Sequence, residues 1–144
     1  MPYSFTMTDE KKVLVFGTFD SLHDGHRFFL REARRLGSRL IASLATDEVV
    51  QRIKGSVPSH HLEERLQALE ASGLVDLAVA GDKTLGNWST LKQCEPDIIA
   101  VGYDQKELTK ALTEFIEREK LSIKLFTIDA HKPDQLHSRL LRKN

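Results

Sequence analysis

Short apolar runs alternate with longer amphipathic segments along most of this 144-residue chain. A short run of consecutive apolar residues is typical of a strand buried on both faces, whereas apolar residues three or four positions apart are typical of a helix. The pattern predicts strands at residues 13–16, 40–45, 75–80, 97–101 and 123–128. It predicts helices at residues 25–36 (ended by Gly37), 46–53 (capped by Thr46 or Asp47, with Val49, Val50 and Ile53 on one face), 62–72 (ended by Gly73), around Trp88 and Leu91, 108–116 and 133–142.

Strands that alternate with helices in this way indicate βαβ units and a parallel sheet that is covered on both faces. Right-handed crossovers restrict such a chain to a doubly wound topology. We therefore predict an α/β fold, a single-domain Rossmann-like sheet of five parallel strands over residues 11–144, after a flexible leader at residues 1–10. Because ligands of such sheets bind beyond the carboxyl ends of the strands, site residues are expected to follow each strand.

The composition restricts the partners and the compartment more than the chemistry. Twenty-one basic residues balance twenty-one acidic ones, so the net charge gives no reason to expect nucleic acid or an anionic membrane as a partner. No stretch approaches the roughly 18 consecutive apolar residues of a membrane span, and the first ten residues do not resemble a signal peptide. The single cysteine, Cys94, cannot form an internal disulfide. These features favour a cytoplasmic protein.

The chemistry is concentrated after the first predicted strand, where residues 17–26 read GTFDSLHDGH. His23 and His26 stand where a helix begins, and a helix N-terminus offers unpaired N–H groups and partial positive charge that suit a phosphate. Gly25 would let a phosphate approach the backbone. Neither a Walker sequence nor a G-x-G-x-x-G sequence is present, and no serine or cysteine is paired with a base. From spacing alone, a phosphate site, a structural turn and half of a metal site all remain open.

Residues 17–26 resemble the G-T-F-D-x-x-H-x-G-H signature of the cytidylyltransferase-like nucleotidyltransferases. The similarity continues through ATDE at residues 45–48, Lys54, ERL at residues 64–66 and PDIIAVGYDQ at residues 96–105. The resemblance implies an enzyme that transfers AMP or CMP from ATP or CTP to a phosphorylated small-molecule acceptor and releases pyrophosphate. It also implies Mg²⁺ bound through the nucleotide phosphates rather than by protein ligands, and a possible homodimer.

The resemblance also implies roles for individual residues. His23 and His26 would contact the phosphates and stabilise charge as pyrophosphate leaves, and Lys54 would close onto the phosphates from a loop. With these three as catalytic residues, the nucleotide-binding residues are expected to be Phe16, Gly17, Thr18, Phe19, Gly25, Arg65, Gly102, Tyr103, Asp104, Gln105, Ser138 and Arg139.

Several of these positions have a second interpretation. Lys54 could be a solvated surface lysine, and Arg65 could make a surface ion pair of little energetic value instead of facing phosphate. Asp104 or Gln105 could cap the following helix. Asp20 either orients a histidine or the acceptor, or bonds N–H groups within its turn. The residues expected to be structural or solvent-facing are Trp88, Phe115, Cys94, His60 and His61.

The sequence decides the reaction class better than the substrate. GYDQ at residues 102–105 most resembles the archaeal FAD-synthetase branch, in which FMN receives AMP from ATP. Glycerol-3-phosphate cytidylyltransferase and an ADP-heptose type of sugar-phosphate nucleotidyltransferase are the alternatives. Residues 136–142, LHSRLLR, replace a phosphate-binding sequence that is rich in Ser and Thr in many relatives. This departure keeps open a different class, a non-catalytic nucleotide-binding regulatory domain.

Overall fold

The computed structural model describes residues 10–84 and 86–129. Within these residues the elements in chain order are β1 (Lys12–Gly17), α1 (Asp24–Arg34), β2 (Arg39–Leu44), α2 (Asp47–Lys54), α3 (Leu62–Ser72), β3 (Leu77–Ala80), α4 (Ser89–Cys94), β4 (Ile98–Gly102), α5 (Lys106–Glu119) and β5 (Lys124–Ile128). Most of the predicted leader, the helix predicted at residues 133–142, and with it Ser138 and Arg139, lie outside the described residues.

The five strands form one parallel sheet in the order β3-β2-β1-β4-β5. Val13 in β1 lies opposite Leu40 in β2 on one side and Ile98 in β4 on the other. The strand order therefore reverses at β1, which confirms the predicted doubly wound α/β fold. In such a sheet the crevice for ligands lies beyond the carboxyl end of the strand at the reversal.

Apolar side chains fill both faces of the sheet, since successive residues of a strand point to opposite sides. Val13 and Val15 of β1 pack on one face with Leu30 of α1. Leu14, between them, packs on the other face with Phe115 of α5. Val13, Val15, Leu30 and Leu14 are fully buried. Burial on both faces explains why the strands read as continuous apolar runs.

The helix ends agree with the predictions at α3 but not at α1. Gly73 caps α3 with a left-handed φ of 75°, as expected for a glycine after the last turn. α1 ends at Arg34 with a right-handed cap residue, before the predicted stop at Gly37. A Cβ at Gly37 would lie 2.7 Å from the carbonyl oxygen of Lys11, so a close backbone contact requires this glycine. No helix in the described part of the chain is long and apolar enough to span a membrane.

Candidate active site

An open cleft of about 1400 Å³ lies along the carboxyl edge of the sheet, and its walls include residues that follow all five strands. Most of the residues predicted to form the site line it. They are Phe16, Gly17, Thr18, Phe19, His23, Gly25, His26, Lys54, Gly102, Tyr103, Asp104 and Gln105. Arg65 is the exception among the described residues predicted for the site, since it does not line the cleft.

Residues 17–26, called the signature turn below, have an unusual backbone. Phe19 and Ser21 both have left-handed φ angles, 50° and 66°, which side chains other than glycine seldom adopt. Phe19 is nonetheless buried, and its ring lies 2.7 Å from the place that a Cβ on Gly17 would occupy. The aromatic ring thus explains the glycine at the end of β1. Strained backbone of this kind persists only where the surrounding contacts hold it.

His23 caps the N-terminus of α1 with its own ring. Its Nδ1 accepts the backbone N–H of Gly25 at 3.0 Å and, at a longer 3.4 Å, that of His26. Because Nδ1 is an acceptor here, the neutral ring carries its proton on Nε2. A Cβ on Gly25 would lie 3.0 Å from the His23 ring, so the glycine makes room for this cap. That Gly25 also admits a phosphate stays a prediction.

His26 stacks against His23 in a partly desolvated setting. The two rings are 3.7 Å apart at their centroids and 20° from parallel, and Phe19 meets His26 edge-on at 5.4 Å. Burial, together with the nearby His23 and Lys54, lowers the pKa of His26 to about 4. His26 is therefore neutral near pH 7. A neutral ring has a single N–H, which here bonds the backbone of Ser21. Positive charge for an anion comes from Lys54 and the helix N-terminus.

The sequence predicted that Lys54 lies in a loop, but Lys54 lies in the last turn of α2. The left-handed Gly55 that follows it, with φ of 80°, ends the helix. Lys54 is exposed, lines the cleft and is close enough to His26 to affect its pKa. Ile53 beside it, which the sequence grouped with Val49 and Val50, is 61% exposed, unlike those two buried residues, and also lines the cleft. The end of α2 therefore contributes a wall of the cleft, not part of the core.

Arg65 is buried beneath the cleft, so neither expected role matches its position. Its Nη1 donates to the carbonyl oxygens of Thr18 at 2.9 Å and Ala45 at 2.8 Å, and its Nε donates to that of His60 at 2.9 Å. Its Nη2 pairs with the Asp47 carboxylate at 2.6 Å. The hydrogen bond from Arg65, together with its positive charge, holds the pKa of Asp47 below its usual value. Arg65 thus joins the ends of β1 and β2 to the starts of α2 and α3.

The helical phase of α3 contains a signal for this burial. Arg65 comes three residues after Leu62 and four before Leu69, which places it on the same apolar face. A cation at a core-facing position is almost always paired. Its sequence context therefore indicated a buried structural cation, although it did not indicate the partners.

Asp20 reaches a distant segment instead of its own turn. Its carboxylate accepts the backbone N–H groups of Ser59 at 2.6 Å and His60 at 3.0 Å, and also lies 3.0 Å from Nδ1 of His60. Although burial of the carboxyl raises its pKa, these hydrogen bonds outweigh that effect and leave the pKa of Asp20 below its usual value. His60 was predicted to face solvent, but its backbone N–H and its ring both contact Asp20. His61, 82% exposed at its side chain, matches that prediction more closely, with Asp47 3.2 Å away.

Residues 102–105, the β4 turn, are attached to β1 by one amide side chain. The Gln105 Oε1 accepts the Gly102 N–H at 2.8 Å, and its Nε2 donates to the Phe16 carbonyl oxygen at 2.8 Å. Gln105 occupies the N-cap position of α5 but makes no side-chain cap bond there. Both ends of its amide are thus used within the protein. Tyr103 is half exposed and faces the cleft with Asp104 among the lining residues.

Trp88 and Phe115 pack together in the core, as predicted, with ring centroids 5.9 Å apart. Trp88 also meets Phe16 edge-on at 5.7 Å and lines the cleft, which was not predicted.

Cys94 is half buried, and this burial raises the pKa of its thiol, as befits a residue with no reactive role. In the described residues, no group of three or more His, Cys, Asp or Glu side chains is placed to hold a metal ion.

Comparison with known proteins establishes the family. The model of the cytidylyltransferase-like family matches residues 14–144. The chain belongs to the cytidylyltransferase-like family. The family predicted from the signature turn is therefore confirmed, and with it the enzyme class, a nucleotidyltransferase.

Curated relatives and solved structures match most of the chain. The FAD synthase of Thermococcus sibiricus is 37% identical over 131 residues, which cover 89% of this chain and 88% of that protein. The FAD synthase of Methanosarcina acetivorans is 38% identical over 122 residues, 84% of this chain and 78% of that protein. The crystal structure of a lipopolysaccharide core biosynthesis protein from Thermoplasma volcanium has a TM-score of 0.77 at 31% identity, covering 85% of this chain and 98% of that one. Pantothenate synthetase from Thermus thermophilus has a TM-score of 0.61 at 14% identity, covering 89% and 62%, and shares the fold alone.

Proposed function

We propose that this chain is an FMN adenylyltransferase, which transfers AMP from ATP to the phosphate of FMN and releases pyrophosphate. The observation that carries the proposal is the similarity to FAD synthases at 36–38% identity over most of both chains. The arrangement of His23, His26 and Lys54 at one cleft supports it, because these groups suit the stabilisation of phosphate charge.

In this reaction an oxygen of the FMN phosphate attacks the α-phosphorus of ATP in line. The new P–O bond forms as the bond to the β-phosphate breaks, and pyrophosphate takes the electron pair. Protein catalysis of such a transfer is mostly positioning and charge stabilisation. The Nε2–H of His23 would donate a hydrogen bond to the phosphates, and His26 would do so by giving up its bond to the Ser21 backbone. The partial positive charge at the start of α1, where His23 already accepts the Gly25 and His26 N–H groups, would act on the phosphates through space. Lys54 would supply positive charge.

Mg²⁺ would enter with ATP, bound mainly by phosphate oxygens and water, and would neutralise part of the phosphate charge. This mode of binding needs one or two protein carboxylates at most. The carboxylates of Asp104 and Asp129 line the cleft, and the charge of Asp104 acts on His26. These residues fit a phosphate-bound ion and would hold its water shell.

The cleft offers room and surfaces for two substrates. Pockets for a single small ligand usually measure about 300–1000 Å³, less than the volume available here. The half-exposed ring of Tyr103 would stack on one of the two planar ring systems, and the backbone around Gly102 would recognise its edge.

An enzyme that uses ATP and FMN belongs in the cytoplasm. The expected homodimer is tested by light scattering of the purified protein.

The test is an acceptor and nucleotide panel. Purified full-length chain is incubated with Mg²⁺, ATP or CTP, and FMN, glycerol 3-phosphate or a heptose 1-phosphate, with pyrophosphate and the mass of the product as readouts. We expect pyrophosphate and FAD from the pair ATP and FMN and no product from the other pairs. Riboflavin, which lacks the attacking phosphate, is the matched control and should give neither product. Turnover with CTP and glycerol 3-phosphate would replace the proposal by the cytidylyltransferase alternative. Nucleotide binding without turnover of any pair would favour the regulatory domain.

A further inference from the structure

One side chain of the signature turn, Asp20, holds the segment that follows Lys54. It accepts both the Ser59 and the His60 N–H groups and contacts the His60 ring, and its side chain is only 21% exposed. From the other side, the buried Arg65 donates to the carbonyl oxygen of His60. His60 is therefore held by its N–H group, its carbonyl oxygen and its ring.

The end of α2 that carries Lys54 has little packing of its own. Val50 is buried, but residues 51–57 are all exposed, and a Cβ on Gly55 would meet no atom within 4 Å. The first turn of α2 is fixed by the Asp47–Arg65 ion pair. Its last turn lies beside the cleft and is attached before Lys54 by the exposed Arg52 side chain, whose Nη2 donates to the Lys83 carbonyl oxygen at 2.9 Å. Beyond Lys54, the chain is next attached at Ser59, where Asp20 binds it.

We propose that Asp20 is a positioning residue for the nucleotidyl transfer: by holding Ser59 and His60 it restrains the segment carrying Lys54, so that the ammonium stays within reach of the phosphates that His23 and His26 contact. A short segment fixed at both ends samples far less space than one fixed at a single end. Misplacing a catalytic group by about 1 Å can cost roughly 100-fold in rate. The inference rests on the proposed function. Asp20 itself acts only through Lys54.

The kinetic test is the coupling between Asp20→Asn and Lys54→Ala. Asparagine keeps the size of the side chain but turns an amide NH₂ toward N–H groups that need an acceptor. We expect Asp20→Asn alone to lower kcat by about 10- to 100-fold. In the Lys54→Ala background the same change should lower kcat by less than about threefold, because the residue it positions is gone. Asp20 also lines the cleft, so equal losses in both backgrounds would mean that it acts by a route other than Lys54, and would overturn the inference.

Asp76→Asn is the matched control. The Asp76 carboxylate also accepts a backbone N–H, that of Leu40 at 2.8 Å, and pairs with Arg34 at 2.7 Å, but Asp76 does not line the cleft. It should leave kcat within about twofold of the wild type, as expected for a site without contact to the substrates. A loss as large as that of Asp20→Asn would also count against a positioning role.

A second readout needs no substrate. Trypsin cleaves after lysine, so the rate of cut between Lys54 and Gly55 in the native chain reports how well this segment is held. Asp20→Asn should raise that rate at least about fivefold and Asp76→Asn should not.

Failure of the proposed function appears separately, as a wild type that gives no pyrophosphate with ATP and FMN. If Asp20→Asn does not fold, His60→Ala replaces it, since this change removes the ring contact and keeps both backbone bonds. A smaller rise in cleavage supports the inference, and unchanged cleavage overturns it.

Discussion

The two turns that meet at the centre of the cleft are held in different ways. In the signature turn the histidine rings are part of the backbone structure, since His23 caps α1 and His26 stacks on it. In the β4 turn the bracing side chain is Gln105, and Tyr103 beside it projects half exposed into the cleft. One turn is thus fixed through the residues expected to do the chemistry, and the other through a residue that leaves its neighbours exposed.

The two side chains that hold these turns in place, Arg65 and Gln105, also differ. Arg65 is charged, fully buried and bonded to three carbonyl oxygens and a carboxylate, whereas Gln105 is neutral and makes two bonds. Groups that stabilise charge only in the transition state act on kcat, whereas groups that bind the substrate equally in the ground state act on KM. Damage to the signature turn should therefore lower kcat, and damage to the β4 turn should raise KM.

The largest effect is expected for His26→Ala. Removing one donor that stabilises transition-state charge typically lowers kcat by about 100- to 1000-fold, and we expect a loss of that size with the fold retained. Steady-state kinetics measure the loss of kcat, and circular dichroism shows whether the fold is retained. His61→Ala is the matched control, because its ring is 82% exposed and does not line the cleft. A kcat within about tenfold of the wild type in His26→Ala would remove the basis for calling the signature turn catalytic.

Arg65→Met should produce the largest loss of stability. Removing one partner of a buried ion pair costs about 3–5 kcal/mol, and we expect the lower end because the Asp47 side chain remains 32% exposed. Urea unfolding gives the free energy. Arg35→Ala is the control, since that side chain is 76% exposed and its pair with Glu32 should contribute less than about 1 kcal/mol. Equal stability of the two variants would show that the signature turn does not depend on its buried brace.

Gln105→Ala should have a smaller effect of a different kind. It leaves the Gly102 N–H and the Phe16 carbonyl oxygen without their partner, which costs about 1–3 kcal/mol for groups that are only partly buried. KM for ATP or for FMN, whichever substrate the β4 turn binds, should rise while kcat changes little, because the loss affects binding rather than charge stabilisation. Gln67→Ala on the exposed face of α3 serves as the control. A fall in kcat comparable with that of His26→Ala would contradict the division between the two turns.

The sequence predicted the sheet well, because the rule that forms it is local. Each strand is a continuous apolar run, and burial on both faces of a parallel sheet requires nothing else. The signature turn was also predictable, since its glycines and histidines lie within ten residues and match a known pattern. The caps show where local rules fail: Gly73 ends α3 with a left-handed φ, but Gly37 serves a contact with Lys11 instead.

The contacts that hold the site were not predictable from local pattern. Asp20 meets Ser59 across 39 positions, and Gln105 meets Phe16 across 89. Such pairs arise only once the crossovers have brought separate strand ends together, and nothing near either residue in the sequence specifies its partner. Only Arg65 gave a clue in advance, through its position on the apolar face of α3. The residues that line the cleft were thus easier to predict than those that hold them in place.

The smallest effect concerns pH and again separates the two turns, since only the signature turn contains histidine. The pKa of His26 is about 4 in the folded chain, against 6.5 for an ordinary histidine. Between these values the unfolded state binds more protons, so the contribution of His26 is complete above about pH 6.5 and is lost as the pH falls toward 4. The pKa values of Asp20 and Asp47 are lowered, so their contributions are lost only below that window.

Unfolding free energies at pH 7 and pH 5 measure this difference. The wild type should lose more stability between the two values than His26→Ala does, whereas Gln105→Ala should lose as much as the wild type. Taking the difference between variants cancels the titration of the groups that do not interact with His26. An identical loss in the wild type and in His26→Ala would mean that the ring is not kept neutral by its surroundings, and that the signature turn could use it as a cation.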